Sequence, residues 1–268
     1  ITSDTGRGAD YSGGIVYASD LEGKITKVNL TNLTSDINNN QSLTFKPSTG
    51  AVDTTTLFKA GSTKANGRYM YHPMDVAIGK STNNLWLFAG TGDSQRLNDR
   101  SSGTDNLLIG IQDPDYPYYG AVANPSSADD ISDCKDTSND STGKHCPTAA
   151  HRGWYIKLKD YGKVTAEPTV NNGLVYFPTY TPSKSANKCD LGNAFICVAD
   201  DECGTHKAYL PKSSEAEQAG SECKYVGKGV LSKIVFFAGK YFANISGKAA
   251  TGNPAQDLVS ADAATGEI

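Results

Sequence analysis

The feature that most limits how this chain can fold is a recurring pair: a short run rich in apolar and aromatic residues, a tight turn, and a second such run. It is clearest where Ile15 to Ser19 and Lys24 to Val28 flank Asp20-Leu21-Glu22-Gly23. Asp at the first and Gly at the fourth position is the composition of a type I turn, so the stretch reads as an antiparallel hairpin. An isolated hairpin buries too little surface to stand alone, so it has to stack on something. The rest of the chain offers more of the same: Asn84 to Gly90, Asn106 to Gln112, Gly153 to Leu158, Gly173 to Tyr180 and Ala194 to Ala199. A final pair, Lys233 to Phe237 and Lys240 to Ile245, is joined by Ala238-Gly239. Helical periodicity is confined to Ser213 to Gly220, which is short and polar.

Repeated hairpins of this kind stack as the blades of a β-propeller, so the expected fold is all-β, with residues 1–268 forming part of one propeller domain. About four blades can be counted, against roughly four to eight in closed propellers. They recur every 60 to 90 residues or so instead of the roughly 40 to 50 of a regular blade. Insertions over about 31–66, 112–150 and 183–228 account for the excess. An open ring leaves strand edges bare, so further residues or another chain are expected to complete it. Hydrophobic content of 38% with only 20% charged residues, together with 27 Gly and 14 Tyr, suits many short strands joined by polar turns.

Several function classes lose support. A net charge of −4 with scattered Lys and Arg argues against a nucleic-acid surface. No apolar run approaches the roughly 18 residues of a membrane-spanning helix. His72, His145, His151 and His206 stand outside any HExxH pattern, and no GxSxG motif occurs. Gly90-Thr91-Gly92 lacks the Gly-Lys of a phosphate-binding loop; it reads as blade-turn chemistry, with glycine supplying positive φ. The Asn-x-Ser/Thr triplets at Asn29, Asn32, Asn40, Asn139 and Asn244 read as chance matches in an Asn- and Thr-rich chain. Tyr116-Pro117-Tyr118-Tyr119 offers either an exposed contact patch or the cover of a blade edge. No Arg-Gly-Asp triplet is present.

Cys134, Cys146, Cys189, Cys197, Cys203 and Cys223 all lie in the second half, in polar segments, and none forms a CxxC pair. Disulfides stapling long loops are the expected use, which places the protein in an oxidising compartment; free buried thiols are the alternative. Cys134 with Cys146 is the favoured single pairing, because both sit in one polar insertion. The other four permit three connectivities, and the sequence leaves them open. Ile1-Thr2-Ser3-Asp4 has neither the basic start nor the apolar centre of a secretion signal, so a mature form or a fragment is expected. Ala261 to Ile268 reads like a turn between strands, as if both ends were cut.

Gly14 to Val28 resembles the VYAGDLxGNLW signature of the C-terminal propeller of the PilY/PilC family of type IV pilus tip-associated adhesin and biogenesis proteins. Phe88-Ala89-Gly90-Thr91-Gly92 with Leu107 to Asp113 is similar to the family's FFGTGxY and FYGIxD pair. Gly153 to Leu158, followed by Lys163 to Pro168 and Gly173 to Pro182, resembles its GWYLDL, RVxTxP and GxVxFTTxxP blocks. These blocks run in order across most of residues 4 to 247.

The resemblance implies a large secreted protein with a variable N-terminal adhesive part and a C-terminal propeller, of which this chain is the latter half. Family members help pili assemble, resist retraction and mediate attachment. The implied role is therefore a non-enzymatic one at the cell surface, reached through the periplasm. The implied partners are the type IV pilus tip or minor pilins, a surface or host receptor, and the N-terminal remainder of the same protein. The competing class is an extracellular propeller enzyme of the quinoprotein type, or a lectin-like binding module. Adjacent cysteines in a disulfide ring, the mark of quinone-dependent dehydrogenases, do not occur here.

The family also implies calcium, held by alternating Asp residues just before the VYAGDL strand, because a hard cation needs six to eight oxygens or so from a tightly turned loop. The corresponding stretch keeps Asp4 and Asp10 as carboxylates and places Arg7 beside them. These two are the metal candidates, with an ordinary polar loop as the plainer reading. A second acidic cluster, Asp129, Asp130, Asp133, Asp136, Asn139 and Asp140, does not follow EF-hand spacing and reads as a solvated loop.

Overall fold

The computed structural model describes residues 2–3, 14–30, 53–116, 119, 121–122, 125–127, 132–133, 152–185, 190–204, 223–246 and 258–262. The first sheet holds β1 (Thr2–Ser3), β2 (Ile15–Ser19), β3 (Lys24–Asn29) and β4 (Asp53–Lys59), adjoining in that order. The second begins with β5 (Asp75–Ile78), β6 (Leu85–Gly90) and β7 (Leu107–Asp113). The segment after β7 sends β8 (Ser126–Ser127) parallel to β4 and β9 (Ser132–Asp133) parallel to β10 (Gly153–Lys157), the fourth strand of the second sheet. In the third sheet β11 (Lys163–Val164) and β12 (Thr169–Asn171) both pair with β13 (Leu174–Thr181), followed by β14 (Asn193–Asp200) and β15 (Cys223–Lys228). In the fourth, β16 (Val230–Leu231) and β17 (Val235–Phe237) pair with β18 (Lys240–Ser246), which also pairs with β19 (Leu258–Asp262).

The order of residues along the central strands explains the stacking. Successive side chains of a strand point to opposite faces, and a sheet buried on both faces reads as a continuous apolar run. In the second sheet Leu85, Leu87, Ile109, Ile111 and Tyr155 pack against Ile15, Tyr17, Ile25 and Leu57 of the first. The alternate residues Trp86, Phe88, Leu108, Trp154 and Ile156 pack against Val175, Phe177, Cys197 and Ala199 of the third. The third sheet then turns Tyr176, Ala194, Ile196 and Val198 to Tyr241, Ala243 and Ile245 of the fourth. Burial of each large apolar side chain is worth roughly 1.5–3 kcal/mol, so these three interfaces hold the stack together. The outer face of the fourth sheet leaves Val235 and Phe237 exposed. Among the described residues the sheets form an open stack, not a closed ring.

The opening hairpin turns as its sequence indicates: the Gly23 amide donates to the Asp20 carbonyl at 3.0 Å, and Gly23 has φ +71°. Two corrections concern the expected insertions. β4 lies within 31–66, where Asp53-Thr54-Thr55-Thr56 conceals a strand because threonine supplies β propensity without an apolar signal. The 183–228 stretch likewise contains β14 and ends in β15. β14 is announced by its apolar run, whereas β15 is held in register by a disulfide between Cys197 and Cys223, directly opposite one another across the two strands. That bond settles one pairing among the four cysteines left open. Cys203 is disulfide-bonded as well. By loop-closure entropy, a cross-link spanning 26 positions stabilises by about 3.5 kcal/mol. Cys134, Cys146 and Cys189 lie outside the described residues, as does Ser213 to Gly220.

Candidate functional site

The segment leading into each sheet's first strand lies against a loop of the preceding sheet, which gathers the polar groups at one end of the stack. Ser19 donates its hydroxyl to the His72 carbonyl at 3.4 Å; within the second sheet, the Gly92 amide donates to the Tyr69 carbonyl at 2.9 Å. The Val164 amide donates to the Thr91 carbonyl at 3.1 Å, and Gly229 to Gly192 at 2.9 Å. The joint between the second and third sheets is the most elaborate. Neither Gly90 nor Gly92 has positive φ, which corrects the turn reading of Gly90-Thr91-Gly92. Both are glycine because β11 lies directly on them. A Cβ at Gly90 would collide with the Val164 side chain, and one at Gly92 would come within 2.8 Å of Lys163 Cβ. Thr91 is fully buried; it accepts from the Leu107 amide at 2.8 Å and donates to Asn106 Oδ1 at 3.1 Å.

Lys163, 1% exposed, crosses this joint. Its Nζ donates to the carbonyls of Asp99 (2.8 Å) and Tyr161 (3.3 Å), while burial lowers its pKa to about 8 against the pull of Asp99 and Asp93. The loop it grips is itself cross-braced. Arg96 bonds Asp93 at 2.7 Å and Asp99 at 3.1 Å, and Tyr180 of β13 donates to Asn98 Oδ1 at 2.6 Å. Nearby, His72 Nε2 lies 3.4 Å from Ser94 Oγ, and burial lowers the imidazole pKa although Glu167 opposes the shift. Glu167 itself is engaged by Lys233 of the next sheet at 2.9 Å. Lys163 and the Lys233–Glu167 pair bridge neighbouring sheets while Arg96, Asp93 and Asp99 brace the loop itself, an arrangement suited to holding a loop in place.

The opposite end of the same interface is closed by the turn after β14. Trp154 donates its indole N–H to the Asp201 carbonyl at 3.0 Å, and Gly204, at φ +66°, lies flat on that indole. Glu202 accepts from the backbone amides of Ser81 (2.8 and 3.1 Å) and Thr82 (3.3 Å), a small anion nest whose Gly79 leaves room for the carboxylate.

Of the residues singled out in the sequence, His72 is brought into the joint, and His145, His151 and His206 lie outside the described residues. So do Asp4, Asp10 and the acidic cluster from Asp129 to Asp140, apart from the backbone of Asp133 in β9. Among the described residues there is no group of three or more His, Cys, Asp or Glu placed to hold a metal. Tyr116 packs against the first interface and the Tyr119 ring lies over Lys27, so these two cover a blade. Lys163, Glu202 and the Lys27–Asp113 pair were not marked by the sequence reading. The glycines of Gly90-Thr91-Gly92 were the available signal for Lys163, since paired glycines beside a strand also mark close backbone approach.

No protein-family model matches the chain. Over 199 residues, 71% of its length, it is 26% identical to the type IV pilus biogenesis factor PilY1 homolog of Xylella fastidiosa, and it spans 13% of that protein. The crystal structure of the Pseudomonas aeruginosa PilY1 C-terminal domain matches 91% of the chain with a TM-score of 0.57 at 13% identity; the match covers 61% of that domain. The chain resembles the PilY1 C-terminal domain in fold. The four sheets are accordingly blades of a β-propeller-like fold, and the joints described above are blade-to-blade joints.

Proposed function

We propose that this domain serves type IV pilus biogenesis as a non-enzymatic, exported module, a rigid propeller platform whose loops contact the pilus tip or minor pilins. Adhesion to a surface or host receptor and control of retraction belong to the same reading. The observation that carries it is the 26% identity over 199 residues to a type IV pilus biogenesis factor. The architecture supports it physically, because loops positioned by a stiff scaffold are where recognition is normally placed. The test is an in-frame deletion of residues 1–268 from the gene in its own bacterium. Loss of surface pili and of pilus-driven motility, restored by the intact gene, is expected; unchanged piliation and motility would count against the role. Calcium at Asp4 and Asp10 is part of the proposal. It is tested by thermal unfolding with and without added calcium, where a shift is expected in the native protein and none in the Asp4→Asn, Asp10→Asn double variant.

A further inference from the structure

Lys27 on β3 and Asp113 at the end of β7 meet between the first two blades. Lys27 Nζ lies 2.7 Å from Asp113 Oδ2, with the side chains 0% and 1% exposed. Tyr17 donates its hydroxyl to the same oxygen at 2.6 Å, and the Asp115 amide donates to Oδ1 at 3.2 Å. The Tyr119 ring centroid is 5.8 Å from Nζ, and Ile25, two residues from Lys27, and Ile111, two residues from Asp113, belong to the apolar core between these blades. The other ion pairs between described residues, such as Arg68–Asp105 or Glu167–Lys233, keep at least one partner substantially exposed.

A buried ammonium–carboxylate pair carries a desolvation cost that a neutral pair of the same shape does not. Transfer of one proton from Nζ to the carboxylate gives an amine and an acid in contact, held together by the fold with the high effective concentration of an intramolecular reaction. We propose that Lys27 and Asp113 condense to an isopeptide bond that joins the first two blades covalently. The neutral Nζ adds to Cγ of the protonated carboxyl and a C–N bond forms. The Cγ–Oδ1 bond then breaks, and Oδ1 leaves as water with the acid proton and one amine proton. Nothing is oxidised or reduced. The Tyr17 hydroxyl faces the charge that develops on Oδ2 during addition and afterwards donates to the amide oxygen. Burial and the adjacent Asp113 raise the Tyr17 pKa strongly, which keeps that hydroxyl a donor.

The inference rests on this geometry and not on the pilus reading. It is tested on the intact protein by mass spectrometry after reduction of the disulfides. The expected mass is lighter than the sequence by one water, and proteolysis is expected to yield a branched peptide joining Lys27 to Asp113, without tryptic cleavage after Lys27. Lys27→Met and Asp113→Ala are expected to show their full sequence mass. Because those variants can fail to fold, Tyr17→Phe provides a milder one, expected to convert more slowly and so appear as a mixture in freshly made protein. A folded native protein with full sequence mass and normal cleavage after Lys27, or a lost water that maps elsewhere, would overturn the proposal and leave an ion pair. Neither result bears on the role in pilus biogenesis.

Discussion

The interface between the second and third blades and that between the first and second are built from the same alternation of strand faces, yet they are locked differently. In the former, Trp154 stands between Phe88 and Phe177, with ring centroids 6.2 and 6.3 Å away, and polar latches close the two ends. In the latter, the side chains of Lys27 and Asp113 meet within the core, with the Tyr17 hydroxyl bonded to Asp113 Oδ2. One interface keeps its core apolar and sends polarity to the rim. The other takes polarity inside, where matching is compulsory.

The comparison is most directly broken by emptying one centre at a time. Trp154→Ala removes the aromatic contacts and the bond to the Asp201 carbonyl, and is expected to destabilise by about 3–5 kcal/mol in urea denaturation. Asp113→Ala strands the Lys27 amine and is expected to lose about 3–5 kcal/mol by the same measurement. Replacing both partners, Lys27→Met with Asp113→Leu, is expected to recover much of that loss. No such recovery is expected at Trp154, because its role is volume and not matching.

The rim of the apolar interface has its own signature in pH. The folded pKa of Lys163, about 8, lies below its ordinary 10.5. Between those values the unfolded chain holds a proton that the folded chain does not, so this group makes stability rise with pH across the window. The slope is expected to disappear in Lys163→Met, as read by thermal unfolding between pH 8 and 9.5. Tyr241 acts in the opposite sense at higher pH: burial pushes its pKa up to about 12, so its contribution falls as pH rises above its ordinary 10.

The smallest effect sharpens the contrast with a third interface. Between the third and fourth blades, Tyr241 buries its hydroxyl with no hydrogen-bond partner among the described residues, beside Tyr176 and Phe236. Tyr241→Phe removes an unpaired polar group and is expected to be neutral or stabilising by up to about 1 kcal/mol. A clear loss of stability would mean that the hydroxyl is bonded.

What the sequence made legible follows the same division. The Trp154 interface was readable because Gly153 to Leu158 and Gly173 to Tyr180 are apolar on both faces, which only a sheet buried between two others requires. Gly90-Thr91-Gly92 was noticed but misread, since glycine signals positive φ and close approach alike, and only the placement of Lys163 and Val164 decides between them. β4 and β15 were hidden in stretches read as insertions. Threonines carry one, and the other depends on a cysteine 26 positions away. Lys27 and Asp113 look like surface residues of alternating strands. Nothing local reveals that Tyr17 and Asp113, 96 positions apart, meet in a core. Asp4 and Asp10 lie outside the described residues.

The central claim is that alternate faces of successive blades are in contact, and a double-mutant cycle between Trp154 of the second blade and Phe177 of the third tests it most directly. Trp154→Phe and Phe177→Leu, alone and together, are expected to show a coupling of about 0.5–1.5 kcal/mol, the value of a packed aromatic pair. Strict additivity of the two substitutions would contradict the stacking.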